Sequence, residues 1–223
     1  MRRVLPISCA AISLALGGPA LASEDSQAWE TLNVSVALPS HFKLSNETVV
    51  RSGKARGFYE LEDNLMLGYQ ADPHVTVWLG YTHDPQYLHG HFTIMERRFR
   101  QQVSLDNMVK LGAASLGGRL RFEERWREGL AGTAWRFRPA VNATMPLVVK
   151  TKLVLNHESF INFNTTAFQK QSGYERMRNW ASVVVPVSKR VSLDGGYLNQ
   201  HGFVRGGPDT SDNVLNLGLT ASF

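Results

Sequence analysis

An alternation of apolar and polar residues with a period of two runs through most of this chain, from Trp29 to Phe223, and limits its fold more than any other feature. In the last segment one face is apolar and the other carries small, mostly polar residues: Leu215, Leu217, Leu219, Ala221 and Phe223 against Asn216, Gly218, Thr220 and Ser222. Successive side chains of a β-strand point to opposite faces of a sheet. The pattern therefore predicts an all-β protein whose strands have one apolar and one polar face.

In the middle of the chain the polar face is charged. One face of the segment 119–128 carries Arg119, Arg121, Glu123, Arg125 and Arg127, and the other carries Leu120, Phe122, Glu124 and Trp126. A membrane barrel turns its apolar face to lipid and its polar face to the lumen, whereas a soluble sandwich reverses these roles. Alternation alone does not separate the two, so the choice depends on other features of the chain.

The first 22 residues predict export. Arg2 and Arg3 precede a short apolar stretch, and Ala20-Leu21-Ala22 offers the small residues that a signal peptidase reads. We expect a cleaved signal peptide at 1–22 and a single barrel domain at 23–223. Cys9 is the only cysteine, so the mature protein would contain none. Avoidance of cysteine is consistent with an oxidising compartment.

No later segment has the roughly 20 consecutive apolar residues of a transmembrane helix. Only helices and closed barrels satisfy every backbone polar group in lipid, so the sequence predicts a single antiparallel, up-and-down transmembrane β-barrel. A last strand ending in Phe223 resembles the signal read by the barrel-assembly machinery. We therefore expect that machinery, outer-membrane lipid and lipopolysaccharide as partners, and the outer membrane of a Gram-negative bacterium as the location.

Turn residues divide the chain into segments of strand length. Strands are predicted near 28–37, 42–51, 58–70, 74–83, 92–105, 117–128, 134–145, 150–162, 174–186, 190–201 and 213–223. Bacterial single-chain barrels have an even number, so we expect about 10–12 strands, with a missed or wrongly divided strand near 106–118. The connections 84–91, 163–173 and 202–212 are predicted to be long extracellular loops.

Several motifs, taken in order, resemble a known family. They are Arg97-Arg98-Phe99-Arg100-Gln101-Gln102, Arg119-Leu120-Arg121-Phe122-Glu123-Glu124-Arg125-Trp126, Trp135-Arg136-Phe137-Arg138, His157-Glu158-Ser159-Phe160-Ile161-Asn162-Phe163-Asn164 and Gly195-Gly196-Tyr197-Leu198-Asn199-Gln200. Their order and spacing are similar to those of the domain-of-unknown-function 2490 family of bacterial outer-membrane proteins. The resemblance implies an outer-membrane β-barrel, and it brings no reaction and no catalytic residue.

The predicted inward faces are rich in charge. We expect a lumen charge ladder of Glu60, Glu62, Glu96, Arg98, Arg100, Arg119, Arg121, Glu123, Arg125, Arg127, Arg136, Arg138, Glu158, Arg176 and Arg178. Opposite charges on neighbouring strands lie about 5 Å apart and can pair. The ladder either fills a narrow barrel with ion pairs or, because arginine outnumbers carboxylate, lines an anion-leaning pore. Both roles are non-enzymatic, and the sequence favours this class. We expect no catalytic residues, no cofactor and no metal.

An alternative function is an outer-membrane hydrolase that modifies lipid or lipopolysaccharide through His157 and Ser159. The two residues share a strand face, as in some outer-membrane lipid hydrolases. That face also carries Leu153 and Leu155, so it is predicted to be the lipid-facing one, and no carboxylate lies nearby in sequence to orient the histidine.

Two weaker hypotheses concern the loops. His83, Asp84, His89 and His91 have a spacing that a metal site could use in the loop predicted at 83–91. The long loops could instead serve an adhesin or receptor. The basic residues alternate with apolar ones rather than clustering, which argues against a nucleic-acid partner. The sequence gives no oligomeric state.

Overall fold

The computed structural model describes residues 23–148 and 150–223, and the strands of this part form one closed barrel. They are β1 (Ser23–Ala37), β2 (Phe42–Gly53), β3 (Gly57–Gln70), β4 (Val75–Leu88), β5 (His91–Leu111), β6 (Ala114–Arg127), β7 (Ala134–Pro146), β8 (Lys152–Asn162), β9 (Gly173–Pro186), β10 (Val191–Gly202) and β11 (Thr210–Ser222). Strands consecutive in sequence are antiparallel neighbours. The predicted all-β, up-and-down barrel is confirmed, and the predicted signal peptide at 1–22 lies outside the described residues.

Apolar side chains cover the outside of the barrel and polar ones fill it. In β3, Leu65, Leu67 and Tyr69 are between 45% and 50% exposed, whereas Asn64 and Met66 on the opposite face are buried. The last strand behaves as its alternation predicts, with Leu215, Leu217 and Leu219 exposed and Val214 buried. Within the described ranges, no helix is long and apolar enough to cross a membrane.

The barrel closes through a parallel pair. β1 runs parallel to β11, with Trp29 opposite Asn216. An up-and-down barrel whose first and last strands run in the same direction has an odd number of strands, and the described residues form eleven. The expectation of an even number is therefore wrong, because it assumed an antiparallel closing pair. The eleven segments read from the turns each correspond to a strand.

The hairpin of β4 and β5 is longer than the sequence predicted. β4 continues to Leu88 and β5 begins at His91, so the predicted 84–91 loop is reduced to a turn at His89-Gly90. Both turn residues have positive φ, 50° and 82°. Pro85 resembled a strand break, but it remains paired with Met95 within the ladder. A proline is tolerated in a strand where its missing N–H is not needed.

The segment 106–118 contains no additional strand. β5 runs to Leu111 and β6 begins at Ala114, with a tight turn between them. The pairing register shifts between Leu105 and Val109, and Asn107 in this interval has a φ of 52°. A bulge that bends a long strand explains why the polar residues here resembled a loop.

The connections define two ends of the barrel. The short-turn end holds 38–41, 71–74, 112–113, 147–148 with 150–151, and 187–190. The long-loop end holds 54–56, 89–90, 128–133, 163–172 and 203–209. Of the three loops predicted to be long, those at 163–173 and 202–212 correspond to the two longest connections of the described chain.

Candidate functional site

Polar and charged side chains fill most of the barrel interior. A small apolar cluster of Trp29, Leu198 and Val214, with Trp180 packed against it, lies on the side where the barrel closes. The rest of the wall brings together the arginines and glutamates of β2 to β9. A buried charge is costly unless it is paired, so the pairing geometry decides what this interior can do.

Ion pairs link the charged strands across the middle of the barrel. Arg51 Nη2 of β2 lies 3.1 Å from Glu62 Oε2 of β3, and Glu62 Oε1 lies 2.6 Å from Arg100 Nη2 of β5. Arg100 Nε is 3.1 Å from Glu123 Oε1 of β6. Glu123 Oε1 is in turn 2.8 Å from Arg138 Nη1 of β7. Arg100 therefore joins the carboxylates of β3 and β6, and Arg51 and Arg138 extend this series of ion pairs to β2 and β7.

These contacts continue around the wall and return to β2. Arg138 Nη2 lies 3.0 Å from Glu158 Oε2 of β8, which is 3.9 Å from Arg178 Nη1 of β9. The guanidiniums of Arg178 and Arg51 lie 4.6 and 4.4 Å from the ring centroid of Trp29. Such cation–π contacts are attractive, so Trp29 bridges the two arginines. We call this closed circuit the charged ring: Arg51, Glu62, Arg100, Glu123, Arg138, Glu158, Arg178 and Trp29.

Arginine outnumbers carboxylate around the ring. Three buried glutamates of the described chain are each shared by several arginines: Glu96 by Arg98, Arg125 and Arg127; Glu123 by Arg100, Arg136 and Arg138; and Glu158 by Arg119, Arg138 and Arg178. One carboxylate neutralises one guanidinium, and arginine keeps its charge in proteins. Counted once each among the described residues, the arginines of the connected network number nine (Arg51, Arg98, Arg100, Arg119, Arg125, Arg127, Arg136, Arg138 and Arg178) and its carboxylates six (Glu60, Glu62, Asp84, Glu96, Glu123 and Glu158), so the network as a whole retains a net positive charge.

A compact group of carboxylates lies on β3 and β4. Side-chain oxygens of Glu60, Glu62 and Asp84 lie within 4.8 Å of one another, a grouping that metal ligands can also show. The Arg98 guanidinium lies among them: it contacts Asp84 and is 3.2 Å from Glu62 and 3.8 Å from Glu60. We attribute this grouping to arginine binding.

The residues of the proposed 84–91 metal site are separated. Asp84 points into the barrel and is buried, whereas its neighbour His83 is exposed on the opposite face of β4. His89 lies in the turn and His91 at the start of β5. Among the described residues, the structure therefore does not bring these four side chains together as metal ligands, because a strand hairpin stands where the sequence predicted a loop.

A cavity of about 550 Å³, the upper cavity, lies between the charged ring and the long-loop end. Cationic side chains predominate in its wall, where three ring arginines are joined by seven other cations and opposed by three carboxylates: Arg51, Arg138 and Arg178; Arg56, Arg98, Arg125, Arg127, Arg136, Lys170 and Arg176; and Glu60, Glu62 and Glu175. Asparagine and glutamine amides supply further hydrogen-bonding groups. An anion that entered this cavity would meet guanidinium donors from several strands.

The loop 163–172 inserts into the top of the upper cavity. Gln169 is 4% exposed, and its amide nitrogen donates to the Asn164 carbonyl at 2.9 Å. Its oxygen accepts from Arg125 Nη1 at 3.2 Å. The Phe168 ring lies 5.3 Å from the guanidinium carbon of Arg127. The loop thus narrows the entrance instead of extending into solvent.

The loop 203–209 packs beside it and is held by Asp209. The Val204 N–H donates to Asp209 Oδ1 at 3.0 Å, and His201 Nε2 lies 3.0 Å from Oδ2. The hydrogen bond from Val204, followed by that from His201, lowers the pKa of Asp209 below its ordinary value. Gln171 accepts the Arg205 N–H at 3.1 Å and so connects the two loops.

A second cavity of about 260 Å³, the lower cavity, lies on the short-turn side of the ring. Arg100, Arg119 and Arg121 contribute to its wall. Arg121 is 7% exposed and donates from Nε to Gln102 at 2.8 Å. Among the described residues no carboxylate oxygen lies within 4.0 Å of its guanidinium nitrogens. Arg121 is therefore a buried cation that retains its capacity to bind an anion.

The charged ring separates the two cavities. Within residues 23–148 and 150–223 the walls of the upper and lower cavities share no residue. Arg100 and Glu123 of the ring are 0% exposed and Glu158 is 1% exposed. Side chains that water does not touch fill the lumen at this level, so the barrel is closed there.

The structure places the predicted charge ladder in this interior. Its buried members are Glu62, Glu96, Arg98, Arg100, Arg121, Glu123, Arg125, Arg136, Arg138, Glu158 and Arg178, and its partly exposed members are Glu60, Arg119, Arg127 and Arg176. The sequence reading missed Arg51, Asp84 and Trp29. Arg51 shares a face of β2 with Glu47 and could have been found by alternation alone. Asp84 was assigned to a loop, and the pairing of Trp29 with arginines has no sequence signal.

His157 and Ser159 lie on the outer face of β8. His157 Nε2 is 3.1 Å from Ser159 Oγ, and His157 Nδ1 is 2.7 Å from Asn179 Oδ1 of β9. Ser159 Oγ is also 3.0 Å from the hydroxyl of Tyr174. The sequence offered no carboxylate to orient His157; the neighbouring strand supplies an amide, because Asn179 stands directly opposite His157.

Comparisons with known proteins extend over most of the chain. A family model described as "Protein of unknown function (DUF2490)" matches residues 26–212. An uncharacterized protein of Methylorubrum extorquens is 24% identical, and the match covers 97% of this chain and 96% of that protein. Among solved structures, an anion-selective porin from Comamonas acidovorans matches with a TM-score of 0.39 and 13% identity. That match covers 82% of this chain and 55% of the porin, so the chain spans about half of that protein's length.

Proposed function

The chain belongs to the DUF2490 family of proteins of unknown function, and we propose from its geometry that it is a narrow, anion-preferring barrel of the outer membrane, closed in this structure at the charged ring. The observation that carries the proposal is the surplus of arginine around Glu96, Glu123 and Glu158. The surplus charge faces cavities on both sides of the ring, which is where a permeating ion would pass.

The outer surface supports insertion into a bilayer. Large apolar side chains such as Leu67, Leu79 and Leu155 are exposed along the barrel wall. Contiguous apolar surface of this kind is rare on soluble proteins and is required against lipid. Phe42 and Tyr69 pack at the short-turn end with ring centroids 5.2 Å apart, in the position of the aromatic girdle of an outer-membrane barrel.

The preference for anions follows from the sign of the interior charge. A lumen wall with net positive charge and low-dielectric surroundings raises the local concentration of anions and repels cations. The upper cavity offers this potential at its entrance through Arg127 and Arg176, which are partly exposed. The lower cavity offers Arg121 at the other side of the ring.

Arg100 is the ring residue whose removal should open a path. It contacts Glu62, which lines the upper cavity, and it lines the lower cavity itself. Without Arg100, Glu62 keeps Arg51 and Arg98, and Glu123 keeps its other arginines. Arg100→Ala therefore removes a side chain that separates the two cavities, and it leaves no carboxylate unpaired.

Single-channel recording in planar bilayers tests the proposal. We compare the native barrel, Arg100→Ala and a control, Arg97→Ala, whose side chain is exposed on the outer face of the same strand. We expect small or rare steps from the native barrel and from Arg97→Ala, and a conductance at least about threefold larger from Arg100→Ala. The reversal potential in a salt gradient should indicate anion preference for all three. Cation preference, or no change in Arg100→Ala, would contradict the proposal.

A further inference from the structure

On the outer wall of the barrel, Ser159, His157 and Asn179 are hydrogen-bonded in series, and we propose that they form the catalytic site of a hydrolase acting on the acyl esters of membrane lipids. The distances are 3.1 Å from Ser159 Oγ to His157 Nε2 and 2.7 Å from His157 Nδ1 to Asn179 Oδ1. This activity is separate from ion permeation, because it uses the opposite face of the barrel wall.

The arrangement meets the requirements of a serine nucleophile. A weakly acidic hydroxyl needs a base within hydrogen-bond reach, and the base needs a third group to fix its orientation. With the Nδ1 proton donated to Asn179 Oδ1, His157 Nε2 is left as the acceptor for the Ser159 hydroxyl proton. Serine or cysteine with histidine and an acid or amide recurs on unrelated folds, so geometry identifies it rather than sequence order.

A β-bulge brings a fourth group to the site. Phe160 is opposite Arg176 but Ile161 is opposite Tyr174, so Glu175 is an extra residue in β9. Strict alternation would turn Tyr174 inward with Arg176; the bulge turns it outward, where its hydroxyl lies 3.0 Å from Ser159 Oγ. Bulges commonly re-aim side chains next to active sites. Tyr174 is placed to donate a hydrogen bond to a developing oxyanion.

The surroundings select a lipid substrate. On the short-turn side of the site, exposed Leu155 and Val183 form an apolar surface for acyl chains. On its other side, Tyr174 packs against Phe203 with ring centroids 5.2 Å apart. Aromatic residues gather at the membrane–water interface, and lipid ester groups lie at that depth. Glycerophospholipids and the acylated lipopolysaccharide both present carboxylic esters there.

The first chemical step forms an acyl-enzyme. Ser159 Oγ attacks the ester carbonyl carbon while its proton passes to His157 Nε2. The carbonyl oxygen becomes an oxyanion, to which the Tyr174 hydroxyl donates. Collapse of this tetrahedral intermediate breaks the bond from carbon to the alkoxy oxygen, and the leaving alcohol takes the proton from His157.

Water completes the reaction. It attacks the acyl-serine carbonyl with His157 as the base, and the second tetrahedral intermediate releases the fatty acid as Ser159 recovers its proton. The net reaction converts one ester and one water into a fatty acid and a lipid lacking that chain. The exposed position of Asn179 and Tyr174 leaves the site open to interfacial water.

Fatty-acid release measured by mass spectrometry tests the proposal on two substrates, phosphatidylethanolamine vesicles and purified lipopolysaccharide. We compare the refolded native barrel, Ser159→Ala and His157→Ala with Ser26→Ala, an exposed serine on the outer face of β1, whose opposite face carries the buried Gln27 and Trp29. A serine-directed fluorophosphonate, followed by peptide mapping, gives a second readout independent of the lipid. Heat-modifiable migration on gels verifies that each variant is folded.

We expect release from one of the substrates and phosphonate labelling at Ser159, with Ser26→Ala unchanged and Ser159→Ala and His157→Ala reduced by about 10³-fold or more. The responding lipid identifies the source of the ester, and labelling of Ser159 alone also supports an activated nucleophile. If the folded native barrel releases no more fatty acid than Ser159→Ala on either substrate and Ser159 is not labelled, the proposal is overturned.

Asn179 is a positioning residue, and its role has its own test. Asn179→Ala should lower kcat by about 10- to 100-fold while KM changes little, because the base is misoriented after substrate is bound. Asn179→Asp retains an acceptor for His157 Nδ1–H and should recover most of kcat. Equal kcat for Asn179→Ala and the native barrel would remove Asn179 from the site.

Discussion

At the scale of single residues, Glu123 is the ring carboxylate shared by Arg100, Arg136 and Arg138. Glu123→Ala removes the carboxylate that Arg136 contacts and one of the two that Arg100 and Arg138 each contact, so buried positive charge is left with fewer partners. We expect the free energy of unfolding to fall by about 3–5 kcal/mol. The adjacent Glu124→Ala, on the outer face, should cost about 1 kcal/mol or less. Urea unfolding of the refolded barrels measures both; equal losses would mean that the strand faces are assigned wrongly.

Replacement of Arg121 should not lower the free energy of unfolding as replacement of Glu123 does. It is buried without a carboxylate within ion-pair distance in the described chain, so its desolvation is only partly offset by Gln102. Replacement of Arg121 by Met should leave the free energy of unfolding within about 1 kcal/mol or raise it. Arg138→Met, which removes one guanidinium partner from Glu123 and one from Glu158, should lower it by about 3 kcal/mol. A loss at Arg121 as large as at Arg138 would contradict the assigned pairing.

The inward charges could be predicted from the sequence, but their partners could not. Alternation alone places Arg98 and Glu123 on the polar face. That Arg98 contacts Asp84 of β4 and also Glu62 of β3 depends on strand tilt and register, which local patterns do not contain. The same limitation hid Asn179 as the partner of His157, because the two residues are distant in sequence and meet only through pairing of β8 with β9.

At the scale of strands, two adjacent glycines of β10 differ in the space that they have. A Cβ on Gly196 would meet the Ala181 carbonyl oxygen and lie 2.6 Å from Ser182 Cα, both backbone atoms of β9. A Cβ on Gly195 would meet only Leu217 Cδ2, at 3.6 Å. Gly196→Ala should therefore lower the free energy of unfolding by about 1–3 kcal/mol, and Gly195→Ala should change it by about 0.5 kcal/mol or less. Equal effects would show that β9 and β10 do not approach as described.

Strand positions were predictable where alternation was regular and not where it was interrupted. Every predicted segment became a strand, yet Asp84-Pro85-Gln86 was read as a loop because proline and polar residues mark turns more often than strands. The bulge at Glu175 is likewise invisible in sequence: it places two consecutive side chains inward and Tyr174 outward. Irregular positions such as these place Asp84 in the interior and Tyr174 at the outer-wall site.

At the scale of the whole molecule, closure of the barrel was the part that sequence could not provide. Alternation and turn residues define strands and their faces, but the pairing of β1 with β11 joins residues at opposite ends of the chain. The parallel direction of that pair permits an odd strand number in the described barrel and brings Trp29 between Arg51 and Arg178. The charged ring is thus a consequence of closure and has no counterpart in any single segment.

If the lumen is polar and open to water and the outer wall faces lipid, cysteines placed on the two faces of one strand will differ in their accessibility to a water-soluble reagent. Residues 23–223 contain no cysteine, so single cysteines can be introduced in neighbouring pairs: Val141 and Asn142 in β7, and Leu155 and Asn156 in β8. Asn142 and Asn156 line the lower cavity, whereas Val141 and Leu155 are exposed on the outside.

In phospholipid vesicles, a charged, water-soluble maleimide should label Asn142→Cys and Asn156→Cys at least about tenfold faster than Val141→Cys and Leu155→Cys. All four variants should react alike after denaturation, which controls for intrinsic reactivity. Fast labelling of Val141→Cys and Leu155→Cys in the folded, vesicle-bound barrel would show that the apolar wall faces water, and the account of a membrane barrel would be wrong.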